Sequence, residues 1–273
     1  MNEHISNHFG NLTKTTRVWA IGSIHGQSDS LKSLHNQLRK NFLPNDQIVY
    51  LGNVLGIGSK IYETIEELLI FRREILAFNT FKGNRQAAEN FIFLRGAQEE
   101  MWHKLLQVQL SINPIEILEW VKIQGVDSTV EAYGGSIEEG INSARGGARQ
   151  LARWTNGIRD NISQRPGHRE FLSSLKRAAV TDNGSLLFVN SGIDPNRPLD
   201  AQRDSFWWDT KGFEELSSPF CGFKKIVRGF SENHPGIQNG EYTVTIDGGA
   251  GYGGKLMAAC INARGEVTTC LEV

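Results

Sequence analysis

The hydrophobic positions in the first third of the chain form short continuous runs, and each run leads into a glycine-rich turn. The first run, Val18 to Ile21, is followed by apolar residues at helical spacing as far as about Lys40. Similar runs lie at 47–52 and 91–96, with an apolar helical face over about 61–76 between them. Three strand–loop–helix units in a row predict an α/β sheet whose loops gather at the carboxyl ends of its strands.

The middle of the chain has a different pattern. From Glu99 to about Leu175 the periodicity is mainly helical, and Pro114 stands where the first turn of a helix favours proline. We therefore expect a helical insertion over about 99–175, packed beside the sheet. Its basic residues predict a solvated face, with a partner surface as the alternative; they are Arg145, Arg149, Arg153, Arg159, Arg165 and Arg169.

Strand-like runs return in the last third of the chain, at 185–190, 225–230, 242–247, 256–262 and 267–273. The last three are joined by short turns, which predicts antiparallel neighbours in a second sheet. Residues 1–16 are polar and are expected to form a flexible tail, so that 17–273 make a single domain.

Composition narrows the class of protein. A net charge of −1 over 273 residues predicts no attraction to nucleic acid or to a membrane. The chain has no apolar run long enough to span a bilayer, and its polar start does not resemble a signal peptide, so a cytoplasmic location is expected. Cys260 and Cys270 lie in apolar runs and are interpreted as small buried hydrophobes rather than a disulfide.

A glycine-rich string, Gly249 to Gly254, matches the spacing of a dinucleotide-binding loop, and with Lys255 it imitates a P-loop. Both sites need a helix immediately afterwards, whereas the residues from Leu256 form a strand-like run. The string is therefore interpreted as a tight turn between strands.

Five strings carry a resemblance to a known family. Gly22-Ser23-Ile24-His25-Gly26, Leu51-Gly52-Asn53, Leu94-Arg95-Gly96-Ala97-Gln98-Glu99, Val189-Asn190-Ser191-Gly192-Ile193 and Arg228-Gly229-Phe230 occupy the places of five motifs. Together with the glycine-rich turn, they resemble the calcineurin-like metallophosphoesterases, in particular the bacterial branch similar to Ser/Thr protein phosphatases. The resemblance implies a metallophosphoesterase-like two-sheet α/β sandwich flanked by helices. It also implies two divalent metals about 4 Å apart that clamp a phosphate.

The chain departs from the family at the positions that carry the chemistry. The resemblance implies metal ligands at Ser23, Asn53, Ala97, Asn190 and Phe230, where the family has Asp, Asp, Asn, His and His. Gln98 replaces the general-acid histidine and Gly56 the aspartate that orients it, while Ile57 replaces a phosphate-binding arginine. Only His25 is kept among the ligands. On its own, His25 is interpreted as a hydrogen-bonded loop residue, and the other histidines, His234 among them, show no ligand spacing.

Three functions remain open. The first is a catalytically inactive pseudophosphatase with no metal and no other cofactor, which regulates or scaffolds an unidentified protein partner. The second is a weak metal-dependent phosphoesterase that holds one metal through His25, Asn53, Glu99, Asn190 and Asp247. The third is a phosphate- or nucleotide-sensing module that reads the anion with Arg95, Arg197 and Arg228, since guanidinium groups suit phosphate geometry.

Overall fold

The computed structural model describes residues 8–81 and 91–273, and within them it contains two β-sheets and ten α-helices. The strands are β1 Phe9–Leu12, β2 Arg17–Ile21, β3 Gln47–Tyr50, β4 Phe91–Phe93, β5 Ala178–Thr181, β6 Leu186–Val189, β7 Lys225–Arg228, β8 Gly236–Asn239, β9 Thr243–Asp247, β10 Met257–Asn262 and β11 Val267–Glu272. The helices are α1 Ser28–Asn41, α2 Ile61–Phe81, α3 Ala97–Leu105, α4 Pro114–Ile123, α5 Asp127–Ala132, α6 Ile137–Arg145, α7 Ala148–Ser163, α8 His168–Ser174, α9 Ser205–Trp208 and α10 Thr210–Glu214.

The five-stranded sheet has the order β11-β10-β2-β3-β4. Its strands β2, β3 and β4 are parallel, and β10 and β11 extend it as antiparallel strands. The six-stranded sheet has the order β1-β5-β6-β7-β9-β8, with β6, β7 and β9 parallel at its centre. Five of these six parallel strands are followed by loops that carry the motifs, namely β2, β3, β4, β6 and β7.

The two sheets pack face to face through one buried apolar cluster. Val18 and Val49 of the five-stranded sheet meet Phe188, Val227 and Ile246 of the six-stranded sheet there. Burial of side chains of this size contributes roughly 1.5–3 kcal/mol each. Helices cover the two outer faces, which confirms the two-sheet sandwich that the resemblance implied.

Six helices, α3 to α8, lie between β4 and β5, where the sequence predicted a helical insertion. Pro114 stands in the first turn of α4, as predicted, and the Ser136 hydroxyl caps α6 by accepting the backbone N–H of Glu139 at 3.3 Å. Leu118, Val130 and Ile158 of the insertion belong to the same buried cluster as α1 and α2. The insertion thus adds to the core on one face of the five-stranded sheet.

The expectation of a flexible tail over residues 1–16 is wrong for its second half, which contains a strand. Phe9–Leu12 is a strand that pairs in parallel with β5, and Leu12 is fully buried between the sheets. Phe9 packs edge-on against the Phe206 ring, with centroids 5.9 Å apart. A four-residue strand with two large apolar side chains carries too weak a pattern to stand out in sequence. The first seven residues lie outside the described part of the chain.

The predicted sheet of the last three strands is also corrected. β10 and β11 form an antiparallel hairpin in the five-stranded sheet, but β9 lies in the six-stranded sheet beside β7. The glycine-rich turn carries the chain from one sheet to the other, and Gly249 has a φ of 73° that favours glycine. A Cβ on Gly254 would lie 2.0 Å from the Gly248 carbonyl oxygen, so the turn needs that glycine as well. The prediction of a turn between strands is confirmed, since β10 and not an α-helix follows the string.

The cysteines are free, as expected, but only Cys260 is buried, while Cys270 is exposed on the edge strand β11. No helix in the described ranges 8–81 and 91–273 is long and apolar enough to cross a membrane.

Candidate functional site

The loops that follow β2, β3, β6 and β7 meet at one place through backbone hydrogen bonds. The Ser23 N–H donates to the Gly229 carbonyl at 3.0 Å, and the His25 N–H donates to the Asn53 carbonyl at 2.8 Å. The Phe230 N–H donates to the Asn190 carbonyl at 2.9 Å. The parallel strands thus bring the predicted motif positions together at their carboxyl ends.

Ser23 and Asn53 bond to each other and to the surrounding backbone. The Ser23 hydroxyl donates to the Gly229 carbonyl at 2.8 Å and accepts the Asn53 side-chain N–H at 3.2 Å. The Asn53 side-chain oxygen accepts the backbone N–H of Gln98 at 3.1 Å. Both polar side chains are buried, and both already have partners within the protein.

Asn190 is held in the same way from the opposite sheet. Its side-chain N–H donates to the Leu51 carbonyl at 2.8 Å, and its side-chain oxygen accepts the Ala97 N–H at 3.2 Å. A neutral amide supplies a donor and an acceptor at once, so it can tie β6 to the loops after β3 and β4. Asn190 is linked to Ser23 through the backbone of Gly229, and we call the three residues Ser23, Asn53 and Asn190 the amide network.

Glu99 has a structural role in this region. Its carboxylate accepts the backbone N–H groups of Gly96 at 2.7 Å, Asn53 at 2.9 Å and Leu55 at 2.8 Å. Burial raises the pKa of this carboxyl, although the three backbone donors act in the opposite direction. A carboxylate whose two oxygens serve backbone donors has little capacity left to bind a metal.

The Gln98 side chain packs closely against Gly56, and residues of the insertion form hydrogen bonds with both. The Gln98 side chain donates to the Gln124 carbonyl at 2.7 Å, and the Gly56 N–H donates to the Thr129 hydroxyl at 3.1 Å. Gly56 has a φ of 77°, and a Cβ there would lie 2.0 Å from the Gln98 side-chain oxygen. The Ile57 N–H also donates to the Gly125 carbonyl at 2.7 Å, so α4 and α5 close this side of the site.

His25 lies among aromatic side chains. Its side chain is 2% exposed, and neither ring nitrogen makes a hydrogen bond of ordinary length and angle with a described residue. The hydrogen bond that the sequence analysis expected is reduced to a weaker contact with the Leu55 backbone. Phe230 and Tyr252 pack edge-on against it, with ring centroids 6.3 and 5.8 Å away. Burial lowers the pKa of His25 to about 3; the Leu55 backbone opposes this shift and His234 adds to it. The imidazole is therefore neutral at physiological pH.

His234 is a site residue that sequence reasoning missed. Its Nδ1 lies 2.8 Å from the Asp247 carboxylate, and its ring stacks on Tyr252 at a centroid distance of 4.5 Å. Asp247 also accepts the N–H groups of Ser231 at 2.8 Å and Gly249 at 3.0 Å. Because His234 lies in a turn with no ligand spacing around it, no sequence pattern linked it to His25.

The residues at these loops do not fit a two-metal centre. Serine and amide oxygens bring no charge, whereas dications favour carboxylates, and Phe230 offers no donor atom. In the part of the chain that the structure describes, no group of three or more His, Cys, Asp or Glu side chains could hold a metal ion. The oxygens of Ser23, Asn53 and Asn190 accept protein hydrogen bonds instead.

The three arginines predicted to read an anion are each paired with a carboxylate. Arg95 binds Glu100 at 3.0 Å, and Arg197 binds Asp194 at 2.9 Å. Arg228 is buried, binds Glu214 at 3.2 Å and lies 4.2 Å from the Phe213 ring centroid. Arg95 and Arg197 line different cavities, which gives no support to one shared anion site.

Comparison with solved structures identifies the fold. The chain superposes on a protein assigned as a diadenosine tetraphosphatase with a TM-score of 0.54 and 16% identity, over 97% of each chain. It superposes on a cold-active protein tyrosine phosphatase of a psychrophilic Shewanella species with a TM-score of 0.52 and 14% identity, over 98% of this chain and 88% of that one. No protein-family profile and no curated protein sequence matches it.

The class defined by these likenesses is the phosphoesterase fold, with two sheets, flanking helices and loops gathered at the strand ends. This is the two-sheet fold that the resemblance of the five motifs to the calcineurin-like metallophosphoesterases implied.

Proposed function

We propose that this chain is a pseudophosphatase: a metallophosphoesterase fold that has no phosphoesterase activity and acts by binding a protein partner. The observation that carries the proposal is the amide network of Ser23, Asn53 and Asn190, whose oxygens accept hydrogen bonds from the protein itself. These three positions are metal ligands in the family that the chain resembles.

The proposal also rests on the residue at the position of the family's general acid. Gln98 stands at the general-acid position, and an amide does not donate a proton near neutral pH. A one-metal phosphoesterase is less well supported, because the carboxylates that would bind the metal already have protein partners. The Glu99 carboxylate accepts three backbone N–H groups, and the Asp247 carboxylate bonds to His234 and accepts two backbone N–H groups. Of its proposed ligands, only His25 has free nitrogens, and aromatic rings surround it.

An apolar surface on the insertion supports the protein-binding part of the proposal. Ile112 and Ile123 are 97% and 81% exposed, and Trp120 is 44% exposed. Trp120 lies 6.4 Å from Trp208, which is 41% exposed on α9. Trp120 and Ile123 lie three residues apart on α4, and with Trp208 they form an exposed apolar patch of the kind that is typical of protein interaction sites.

The test of inactivity is a measurement of metal binding together with turnover. We expect the thermal midpoint to be the same in Mn²⁺, in Mg²⁺ and in chelator, and we expect no hydrolysis of naphthyl phosphate. A site with a Kd one-thousandth of the free metal concentration would instead add about 4 kcal/mol of stability. Metal-dependent hydrolysis that His25→Ala abolishes would overturn the proposal.

The test of partner binding is cross-linking in native cell extract with paired variants. Trp120→Ser combined with Ile123→Ser is expected to lose a partner that the unmodified protein captures. Ile70→Ser, at a 42% exposed position on α2, is the matched control and is expected to keep it. Failure to cross-link any partner, or equal capture by all three proteins, would contradict the protein-binding role.

A further inference from the structure

A cavity of about 630 Å³ lies beside the insertion, away from His25 and Phe230. It is lined by residues of α3, α7 and α8 and by the loops next to them. Its volume falls in the range of sites that hold small organic ligands, roughly 300–1,000 Å³. Of the motif residues, only Arg95 and Glu99 reach it, and the Glu99 carboxylate is already occupied by backbone donors.

Five of the residues that line the cavity are apolar. Leu106, Ile162, Leu172 and Leu175 line it together with Trp102, which is 3% exposed. Apolar walls of this kind favour a ligand with a hydrophobic body. The Trp102 ring stacks on Tyr133 with centroids 5.8 Å apart, so this aromatic wall is held in place from behind.

Basic side chains also line the same cavity. Arg159 and Arg169 both line it, and within the described residues neither has a carboxylate at ion-pair distance. Arg159 is oriented by hydrogen bonds to the Leu106 carbonyl and to the Asn156 side chain, the latter at 2.9 Å. Arg95 adds a third guanidinium, which Glu100 already pairs.

Two other titratable groups line the cavity. Asp160 is acidic and lies next to Arg159 in the chain, but it makes no ion pair with either free arginine. The pKa of His103 is lowered, first by burial and then by the charge of Arg95, with Arg159 acting in the same direction. The His103 imidazole therefore experiences the positive field of these arginines.

We propose that this cavity binds a small organic anion with a flat apolar body and a single carboxylate or phosphate group. The body lies against Trp102 and the leucines, and the anionic group accepts hydrogen bonds from Arg159 and Arg169. A guanidinium fork matches the geometry of both carboxylate and phosphate. Such a ligand would make the protein responsive to a metabolite at a site separate from the loops of the amide network.

The experiment is a calorimetric titration with naphthoate, naphthyl phosphate, naphthol and inorganic phosphate. Naphthoate and naphthyl phosphate are expected to bind, whereas naphthol and inorganic phosphate are expected to bind at least about tenfold more weakly, because each lacks half of the recognised chemistry. The carboxylate cannot be hydrolysed, so its binding is independent of whether the chain is an active phosphoesterase.

The matched variants locate the site. Arg169→Ala and Arg159→Gln are each expected to weaken naphthoate binding about tenfold, as the loss of a charge-assisted hydrogen bond predicts. Arg153→Ala, on the exposed face of α7 outside the cavity, is expected to leave the Kd unchanged. Arg169 is exposed and makes no hydrogen bond or ion pair in the described structure, so its variant is expected to fold even if Arg159→Gln does not.

An NMR measurement gives a second readout. The indole N–H resonance of Trp102, assigned by its loss in Trp102→Phe, is expected to shift with naphthoate, while Arg169→Ala reduces the shift. The proposal is overturned if naphthoate does not bind, if Arg169→Ala and Arg153→Ala bind it equally, or if naphthol binds as well as naphthoate.

Discussion

The unpaired imidazole of His25 makes the stability of this protein depend on pH in a predictable direction. His25 is buried, and its pKa is lowered from 6.5 to about 3 in the folded protein. Below about pH 6.5 the unfolded chain takes up a proton that the folded chain excludes. Stability is therefore lost as the pH falls from 6.5, and the loss from this residue ends near pH 3.

The magnitude follows from linkage. One proton of difference between the two states changes the unfolding free energy by about 1.4 kcal/mol per pH unit. Between about pH 6 and pH 4.5 the unfolded imidazole is mostly protonated while the folded one stays mostly neutral, so nearly this full slope applies. His25 should therefore remove roughly 2 kcal/mol of unfolding free energy over that interval. This loss is a large fraction of the net stability of a typical domain, which is about 5–15 kcal/mol.

The perturbation that isolates this effect is His25→Asn. The residue has a φ of 51°, in the left-handed region that asparagine tolerates better than most residues. Urea unfolding followed by the fluorescence of the six tryptophans should give a shallower pH dependence in the variant. Subtraction removes the contributions of His35 and His168, whose pKa values are also lowered by burial.

His103→Asn is the comparison variant, because its side chain is exposed on α3 and its pKa is lowered less than that of His25, by partial burial and by the charge of Arg95. We expect this variant to lose less of the pH dependence than His25→Asn does. Equal slopes for His25→Asn and the unmodified protein would refute the argument. An imidazole of His25 that titrates near pH 6.5 by NMR would refute it as well.

Three further substitutions test other features. Leu12→Ala should lower the unfolding free energy by about 2–5 kcal/mol if β1 is a buried strand, whereas Asn11→Ala on its exposed side should change it by less than about 0.5 kcal/mol in urea unfolding. Similarly small effects of both substitutions would favour the original expectation of a flexible tail. Glu99→Gln should cost about 1–3 kcal/mol, because an amide N–H would face backbone donors; unchanged stability would show that the carboxylate does not anchor the loops. Gly56→Ala should lower stability by about 1–3 kcal/mol, and Gln98→Ala should recover part of that loss, as a double-mutant cycle would show.

The fold was largely predictable because its strands and helices have strong local patterns. The run Val18 to Ile21 is buried on both faces between helices and a second sheet, so every position is apolar, and the pattern identifies a strand. The strand β8 was missed because Gly236–Asn239 is a half-exposed edge strand with one large apolar residue. The prediction of which sheet contains β9 was wrong for another reason. A short turn suggests neighbouring strands in one sheet, and its length does not reveal that its glycines lead the chain from one sheet to the other.

The site was predictable in position but not in its internal bonds. The motif strings located Ser23, Asn53 and Asn190 at strand ends, since parallel strands place their loops together. The bonds that these side chains make depend on distances between loops far apart in sequence, which no single pattern encodes. His234 and its contact with Tyr252 belong to this second kind of information.

The interlocking of Gly56 with Gln98 has a consequence for any attempt to redesign this chain as an enzyme. A side chain at position 56 collides with the Gln98 amide, which the insertion holds through Gln124. We therefore expect an aspartate at 56 to be less destabilising once position 98 has changed, so that the effects of the two substitutions are not additive. The order in which they are introduced then matters, and a library that varies single positions of the present chain would undervalue the pair.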